Sequence, residues 1–361
     1  MSKEQRIDMS ERLLMRGNEA LCEGAIIAGC RYYFAYPITP QNEVPAYMAM
    51  RMPEVGGVFL QAESEIGSIN MVWGASLAGK RVMTSSSSPG ISLMQEGISY
   101  LAAGELPAVI VNMVRGGPGL GNIAPAQSDY FQSVKGGGHG DYRTIVLAPA
   151  SVEEIAHLMI DAFDLADMYR IPVIMLGDGA IGQMTEALTL PKPSKRKLPP
   201  KDYILDGCKG RKERTIKSLR LTPQGALEEL NLKLQAKYDE ICRKEQRYES
   251  YEIDDAEIVI VSFGMASRIA RVCVMQARQK GIKVGLLRPI TLWPFPEEYI
   301  AELASRNTVK AFLDVEMNMG QMIEDVRLAV NGKKEVFFYG RTAGMLPDEE
   351  ELLQKIVEVN G

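Results

Sequence analysis

Tyr36-Pro37-Ile38-Thr39-Pro40 follows directly on an apolar run, Tyr32 to Ala35, that reads as a β-strand. Proline fixes φ and biases the residue before it toward extended backbone, so Tyr36 and Thr39 are both held out of helical geometry. The result is a stiff loop at a strand end, presenting a hydroxyl where open α/β sheets bind their ligands. By itself the pentapeptide reads more readily as a rigid turn that contains a threonine. The segments on either side reverse that preference.

Strand and helix patterns alternate through the first 190 residues. A helical pattern over 10–28 precedes the strand at Tyr32, and a strand over 57–62 leads into a helix over 64–78. Then come a strand over 81–84, a helix over 92–103 and a strand over 108–114. A strand over 144–147, a helix over 152–169 and a strand over 172–176 complete the series. Such alternation implies a parallel sheet with helices on both faces. A shorter version follows, with strands over 257–263, 283–286, 309–315 and 335–339 and helices over 265–280, 297–306 and 321–330.

Between the two lies Pro191-Lys192-Pro193-Ser194-Lys195-Arg196-Lys197-Leu198-Pro199-Pro200, proline-rich and charged as a boundary is. Thr222-Pro223 carries the signature of a helix start, and Leu227, Leu230, Leu234, Tyr238 and Ile241 follow as one apolar stripe. The stretch 191–250 holds 16 Lys/Arg against 9 Asp/Glu, in a chain of net charge −5. It lacks interleaved aromatics, so a solvated linker or subunit contact fits better than nucleic-acid binding. The expected organisation is an α/β domain over 1–190, a basic linker with one amphipathic helix over 191–251, and a smaller α/β domain over 252–361.

Composition narrows the classes further. Hydrophobic residues make up 46% and charged residues 24%, the balance of a soluble globular protein. No run approaches the ~18 apolar residues of a membrane span. The charged stretch 1–16 has no signal-peptide core. Both point to the cytoplasm. Five scattered cysteines without a C-x-x-C pair, and only two histidines, exclude a self-contained iron–sulfur, zinc or histidine-rich centre.

Two further strand ends join Thr39. One delivers Glu63-Ser64-Glu65, with Ser64 in the N-cap position and Glu65 in the first turn. Glu65 is then either a site acid or an ordinary first-turn acid favoured by the helix dipole. The other delivers Arg115, which opens Gly116-Gly117-Pro118-Gly119-Leu120-Gly121-Asn122. A guanidinium there can grip a small carboxylate through two hydrogen bonds, or serve as a structural arginine in a glycine-rich turn. The glycine spacing departs from G-x-G-x-x-G, and Asn122-Ile123-Ala124-Pro125 opens no long helix, so a dinucleotide fingerprint is excluded.

These loops, together with Gln61-Ala62-Glu63-Ser64-Glu65, Ser87-Ser88-Pro89-Gly90-Ile91-Ser92-Leu93-Met94-Gln95-Glu96, Leu292-Trp293-Pro294-Phe295-Pro296 and Glu316-Met317-Asn318-Met319-Gly320-Gln321, strongly resemble the 2-oxoacid:ferredoxin oxidoreductases. The resemblance covers nearly the whole chain. It is to the subunit that joins a thiamine-pyrimidine-binding domain to a transketolase-C-terminal-like domain. Lys135-Gly136-Gly137-Gly138-His139-Gly140 and Gly119-Leu120-Gly121-Asn122 are most similar to the 2-oxoisovalerate, or branched-chain, enzymes. The 2-oxoglutarate enzymes, the alternative, usually carry serine and threonine where Gly119 and Leu120 stand.

The resemblance implies CoA-dependent oxidative decarboxylation of a 2-oxoacid to acyl-CoA and CO₂, with reduction of ferredoxin. It places Glu65 on N1′ of the thiamine diphosphate aminopyrimidine, with Glu63 as its rival, and Pro37 and Ile38 beside the cofactor. Thr39 and Arg115 fall to the 2-oxoacid. Enzymes of this kind hold Mg²⁺ and the diphosphate with a Gly-Asp-Gly motif followed by an asparagine. Gly177-Asp178-Gly179 stands at a strand end here, yet no asparagine occurs before Asn231. Asp178 therefore reads as a strand-end residue, not a metal ligand. Mg²⁺ and [4Fe–4S] clusters are expected on partner subunits only: one bearing the thiamine diphosphate–Mg²⁺ half-site and one ferredoxin-like, with room for a further small subunit. The isolated chain is expected to be inactive and to form a homodimer. A non-catalytic nucleotide-binding or scaffold protein is the reading from another class, and the presence of Thr39, Glu65 and Arg115 argues against it.

Overall fold

The computed structural model describes residues 12–361. Ser10 and Glu11, where the first helical pattern begins, lie outside them, as does most of the stretch used in the targeting argument. In chain order the first elements are β1 (Arg12–Arg16), α1 (Gly17–Ile27), β2 (Tyr32–Ala35), α2 (Glu43–Glu54), β3 (Val58–Gln61), α3 (Glu65–Leu77) and β4 (Val82–Ser86). Next come α4 (Ser88–Ala103), β5 (Ala108–Val114), α5 (Tyr130–Val134), β6 (Ile145–Leu147), α6 (Val152–Tyr169), β7 (Pro172–Asp178), α7 (Gly179–Gln183) and β8 (Thr185–Thr189). After a long irregular stretch follow α8 (Ala226–Lys244), β9 (Tyr248–Tyr251), β10 (Ile258–Ser262), α9 (Gly264–Gln279), β11 (Val284–Pro289) and β12 (Thr291–Trp293). The chain closes with α10 (Glu297–Ser305), β13 (Ala311–Glu316), α11 (Met322–Val330), β14 (Glu335–Gly340) and α12 (Glu349–Asn360).

Seven strands form one sheet in the order β12-β6-β7-β5-β4-β2-β3, and five form a second in the order β14-β13-β10-β11-β9. Within the first sheet all pairings are parallel except β12 with β6; within the second, all except β9 with β11. Strands β4 to β7 are buried along their whole length because helices cover both faces. Along β5, Ile110 and Val114 enter the core under α3 and α4, while Val109, Val111 and Met113 enter the core under α1 and α6. The first of these cores runs on into the second sheet through Val259, Val261, Phe263 and Phe312. The sheets also exchange strands. β12, from the Leu292-Trp293 motif, extends the first sheet, and β9, from the end of the linker stretch, extends the second.

Three readings of the sequence need correction. Residues 12–16 are not helical: they form β1, paired antiparallel with β8, and Met15 packs with Leu188 and Leu190. The helix begins at Gly17, where a Cβ would lie 2.0 Å from the Ile181 carbonyl oxygen, so only glycine fits against α7. Helix α4 begins at Ser88, one turn before the predicted start, because Pro89 falls in the first turn where a missing N–H is harmless. Helix α8 begins at Ala226 rather than at Thr222-Pro223, and Leu227 is exposed. Leu230, Leu234, Tyr238 and Ile241 do pack as a stripe, against the α1–α6 face of the first sheet. No helix among the described residues is long and apolar enough to cross a membrane.

Candidate active site

In a parallel sheet all C-terminal strand ends lie on one edge, so the loops after β2, β3, β4, β5 and β7 converge. The loop after β2 carries Pro37, Ile38 and Thr39, all partly buried. It is pinned by Pro40, whose carbonyl accepts from Asn18 Nδ2 at 3.0 Å and Gln183 Nε2 at 2.5 Å. Asn42 Nδ2 donates to Thr39 Oγ1 at 3.1 Å. Arg115, the first residue after β5, reaches back to this loop. Its Nη1 donates to the Thr39 carbonyl at 3.0 Å and its Nη2 to the Leu120 carbonyl at 3.1 Å. Its backbone is held on both sides by one hydroxyl: Arg115 N donates to Ser88 Oγ at 3.1 Å, and Ser88 Oγ lies 3.2 Å from the Arg115 carbonyl.

Arg115 is only 6% exposed, and among the described residues no carboxylate pairs with it. Its Nε has no hydrogen-bond partner. A buried cation that faces only carbonyl oxygens is electrostatically incomplete.

Ser64 Oγ accepts from Gly67 N at 3.1 Å and caps α3, so Glu65 is the first helical residue. It too is 6% exposed. Its side chain turns toward β4, where Ser86 Oγ donates to it at 3.4 Å, its one hydrogen bond among the described residues. Gly90 makes this approach feasible. A Cβ there would lie 2.5 Å from Glu65 Oε1 and 2.0 Å from Ser86 Oγ. Glu63 is exposed beside Gly67, outside this enclosure. Near Glu65 the Ser87 hydroxyl is buried without a partner.

Asp178, at the end of β7, is buried with both oxygens engaged. Oδ1 accepts from Ile181 N at 3.0 Å, capping α7, and Oδ2 accepts from Met265 N at 2.8 Å at the start of α9. Burial raises its pKa, and those backbone N–H groups oppose the rise. It ties the two sheets together.

The edge thus gathers Thr39, Glu65 and Arg115. Ser86, Ser88 and Gly90, which shape it, were given no role by the sequence reading, although Ser88 and Gly90 fall in a motif that it quoted. The signal was Thr84-Ser85-Ser86-Ser87-Ser88, a polar run at the end of a strand buried on both faces. A cavity of about 850 Å³ lies elsewhere, between α6, α9 and β11. Its arginines are already neutralised: Arg288 by Glu154 and Glu249, Arg271 by Glu249, Arg268 by Glu186. Volume and chemistry therefore part company, and the unpaired charges mark the site.

This mostly parallel sheet, joined to a smaller mostly parallel domain, is an architecture the chain shares with thiamine diphosphate-type oxidoreductases and transketolases. The thiamine diphosphate-binding model of the pyruvate flavodoxin/ferredoxin oxidoreductases matches residues 23–250, and core domain II of pyruvate:ferredoxin oxidoreductase matches residues 256–352. The chain belongs to the 2-oxoacid:ferredoxin oxidoreductase family, as one subunit of such an enzyme. It is 51% identical to the ketoisovalerate oxidoreductase subunit VorB of Methanothermobacter thermautotrophicus, over 96% of this chain and 98% of that one. The 2-oxoglutarate:ferredoxin oxidoreductase of Magnetococcus marinus, solved with 2-oxoglutarate, coenzyme A and succinyl-CoA, superposes with a TM-score of 0.88 at 29% identity. That match covers 97% of this chain and 65% of the other, so this chain spans about two thirds of its length. A split-gene transketolase in an inactive tetramer shares the fold alone, with a TM-score of 0.57 at 14% identity over 96% of this chain and 97% of the other.

Proposed function

We propose that this chain supplies the pyrimidine half of a thiamine diphosphate site, completed by a partner subunit, for oxidative decarboxylation of a branched-chain 2-oxoacid. The observation that carries the reading is the pair of buried, unpaired charges at one sheet edge, Glu65 and Arg115. Thiamine diphosphate fits here: a buried carboxylate with one long hydrogen bond requires a donor, and the aminopyrimidine ring offers one. When bound, the cofactor stabilises the carbanion left by loss of CO₂.

The chain's own residues have separable roles. Glu65 holds a proton-bearing nitrogen of the pyrimidine and sets its tautomer, and Gly90 leaves that carboxylate its room. Pro37 and Ile38 form a rigid wall for the ring, since proline fixes the loop backbone. Arg115 binds the 2-oxoacid carboxylate, supplying the counter-charge it lacks in the chain alone. The Thr39 hydroxyl donates to the keto oxygen or carboxylate. As the carboxylate departs as CO₂, its pairing with Arg115 is lost, which favours release.

The balanced reaction takes a 2-oxoacid anion and CoA to acyl-CoA, CO₂ and one proton, passing two electrons to oxidised ferredoxin through iron–sulfur clusters. Mg²⁺ and the diphosphate sit on one partner subunit and the clusters on another, with CoA entering the composite site. The exposed Leu120, Ile123 and Met319 form an apolar rim suited to the partner, or to a second copy of the chain when the partner is missing. The 2-oxoisovalerate assignment rests on the 51% identity with the ketoisovalerate subunit. It also rests on Gly119-Leu120, which offers no second polar group to a distal carboxylate. A substrate panel on the assembled enzyme, read by ferredoxin reduction, tests it. 2-Oxoisovalerate should give the highest kcat/KM, and a preference for 2-oxoglutarate overturns the assignment.

A further inference from the structure

The loop that follows Arg115 does not end in solvent. Residues 116–126 turn back along the end of β5: Gly116 N donates to the Ala124 carbonyl at 2.9 Å, Asn122 N to the Gly116 carbonyl at 2.9 Å, and Arg115 bridges Pro125. This returning segment carries the Leu120 carbonyl that holds Arg115 Nη2. The residue that follows it, Gln127, is 2% exposed.

Each of the four hydrogen-bonding groups of Gln127 has a partner in the second domain, and its side-chain amide also lies beside Asp178 of the first sheet. Its backbone N donates to the Met317 carbonyl at 2.9 Å, and its Oε1 accepts from Met317 N at 3.0 Å. Its carbonyl accepts from Asn318 Nδ2 at 3.0 Å, and its Nε2 donates to the Phe263 carbonyl at 2.8 Å. Phe263 follows β10 and Met317 follows β13, so one glutamine side chain closes the ends of two neighbouring strands. Leucine or methionine would fill the space, leave the buried Met317 N–H unpaired and leave the Phe263 carbonyl with Ser267 N as its one donor among the described residues. The arrangement calls for an amide, which donates and accepts at once.

We infer that Gln127 is a positioning residue for substrate recognition, through which the second domain fixes the loop that presents Arg115. The inference rests on the proposed role of Arg115 and adds a task for the smaller domain, which contributes no charged group to the edge described above. Gln321 and Asn122 are auxiliary ties. Gln321 Nε2 donates to the Ser128 carbonyl at 2.8 Å and Oε1 accepts from Phe131 N at 2.8 Å, while Asn122 Nδ2 donates to the Ala343 carbonyl at 2.8 Å.

The test uses the complete enzyme, assembled with its partner subunits, and both 2-oxoisovalerate and 2-oxoglutarate as probes. Gln127→Met keeps the length and removes both side-chain hydrogen bonds. It should raise KM for the preferred 2-oxoacid about tenfold and change kcat less than about threefold, since loss of loop registry weakens carboxylate binding first. Exchange of the thiamine C2 proton, measured without 2-oxoacid, should stay within about twofold of wild type. In an Arg115→Ala background Gln127→Met should add less than about twofold, because it acts through Arg115. Gln127→Glu, which retains the acceptor and sets a carboxylate against the Phe263 carbonyl, should raise KM in the same way and serves if the methionine variant does not assemble. An unchanged KM in an active enzyme, or an undiminished loss in the Arg115→Ala background, overturns this inference alone. A wild type inert toward both acids overturns it together with the proposed function.

Discussion

Glu65 and Glu316 occupy matching places in their two domains, each a buried acid beyond or at a strand end, and they are surrounded differently. Glu316 is fully buried at the end of β13 and accepts four hydrogen bonds, from Asn318 Nδ2 and from the backbone N–H groups of Gln321, Met322 and Ile323, at 2.7 to 3.1 Å. It is the anion at the N-terminus of α11, with its charge met by protein. Glu65 has one donor at 3.4 Å. The arginines repeat the contrast: Arg288 faces Glu154 and Glu249, whereas Arg115 faces only carbonyls. Burial alone does not mark a functional charge. Burial without a partner at the strand edge where ligands bind does, whereas Asp314, buried without a partner inside β13, has its pKa raised by desolvation and by neighbouring Glu316.

The contrast breaks first at the acids. In the assembled enzyme Glu65→Gln should slow thiamine C2-proton exchange at least about a hundredfold, in the range of a lost acid–base contact. Its thermal stability should be unchanged or slightly raised. Glu316→Gln should do the reverse, costing roughly 2 kcal/mol of stability through weakened charge-assisted hydrogen bonds. Loss of stability with Glu65→Gln, measured by thermal unfolding, would place the two acids in one class.

The arginines should separate in the same way with smaller effects on turnover. Arg115→Ala should lower kcat/KM for the 2-oxoacid at least about tenfold while leaving thiamine diphosphate affinity nearly unchanged. Arg288→Ala should unfold at lower denaturant, by roughly 3 kcal/mol, because Glu154 is left without its cation and Glu249 keeps Arg271 alone. Glu63→Gln, at an exposed acid two residues from Glu65, should change C2-proton exchange less than about threefold. A loss comparable to that of Glu65→Gln would return the assignment to an open choice between the two.

What the sequence made legible was mostly regular pattern. The strand over 108–114 and the helix over 152–169 match β5 and α6, because β-branched runs and a Ser-capped helix are local signals. β1, β9 and β12 escaped, since each is short and is strand only because a partner from a distant part of the chain pairs with it. Helix α2 hid behind Pro45 and Pro53, which sit near its two ends. The motif residues Thr39, Glu65 and Arg115 could be picked out one by one. Their enclosure could not, because Ser86, Ser88 and Gly90 act through tertiary distances that no spacing encodes.

A satisfied acid also has a pH signature. Burial would raise the pKa of Glu105, but Lys237 and Lys233 on α8 pull it down to about 2. A carboxylate with a depressed folded pKa contributes stability above its ordinary value of 4.5 and loses it as pH falls through the folded value. Stability should therefore decline between about pH 4.5 and pH 2, and Lys237→Ala should reduce that part of the slope in acid unfolding curves, Lys233 keeping the rest. An unchanged slope would mean that α8 is held by its apolar stripe alone.

The central claim is that the unpaired charges are half of a composite site. Calorimetric titration of thiamine diphosphate and Mg²⁺ into the isolated chain, and into the chain reconstituted with its partner subunits, tests it most directly. The account predicts no measurable binding to the chain alone, tight binding after reconstitution, and weaker but measurable binding in reconstituted Glu65→Gln. Tight binding to the isolated chain, accompanied by CoA-dependent reduction of ferredoxin, would contradict it and would reopen Asp178 as a metal ligand.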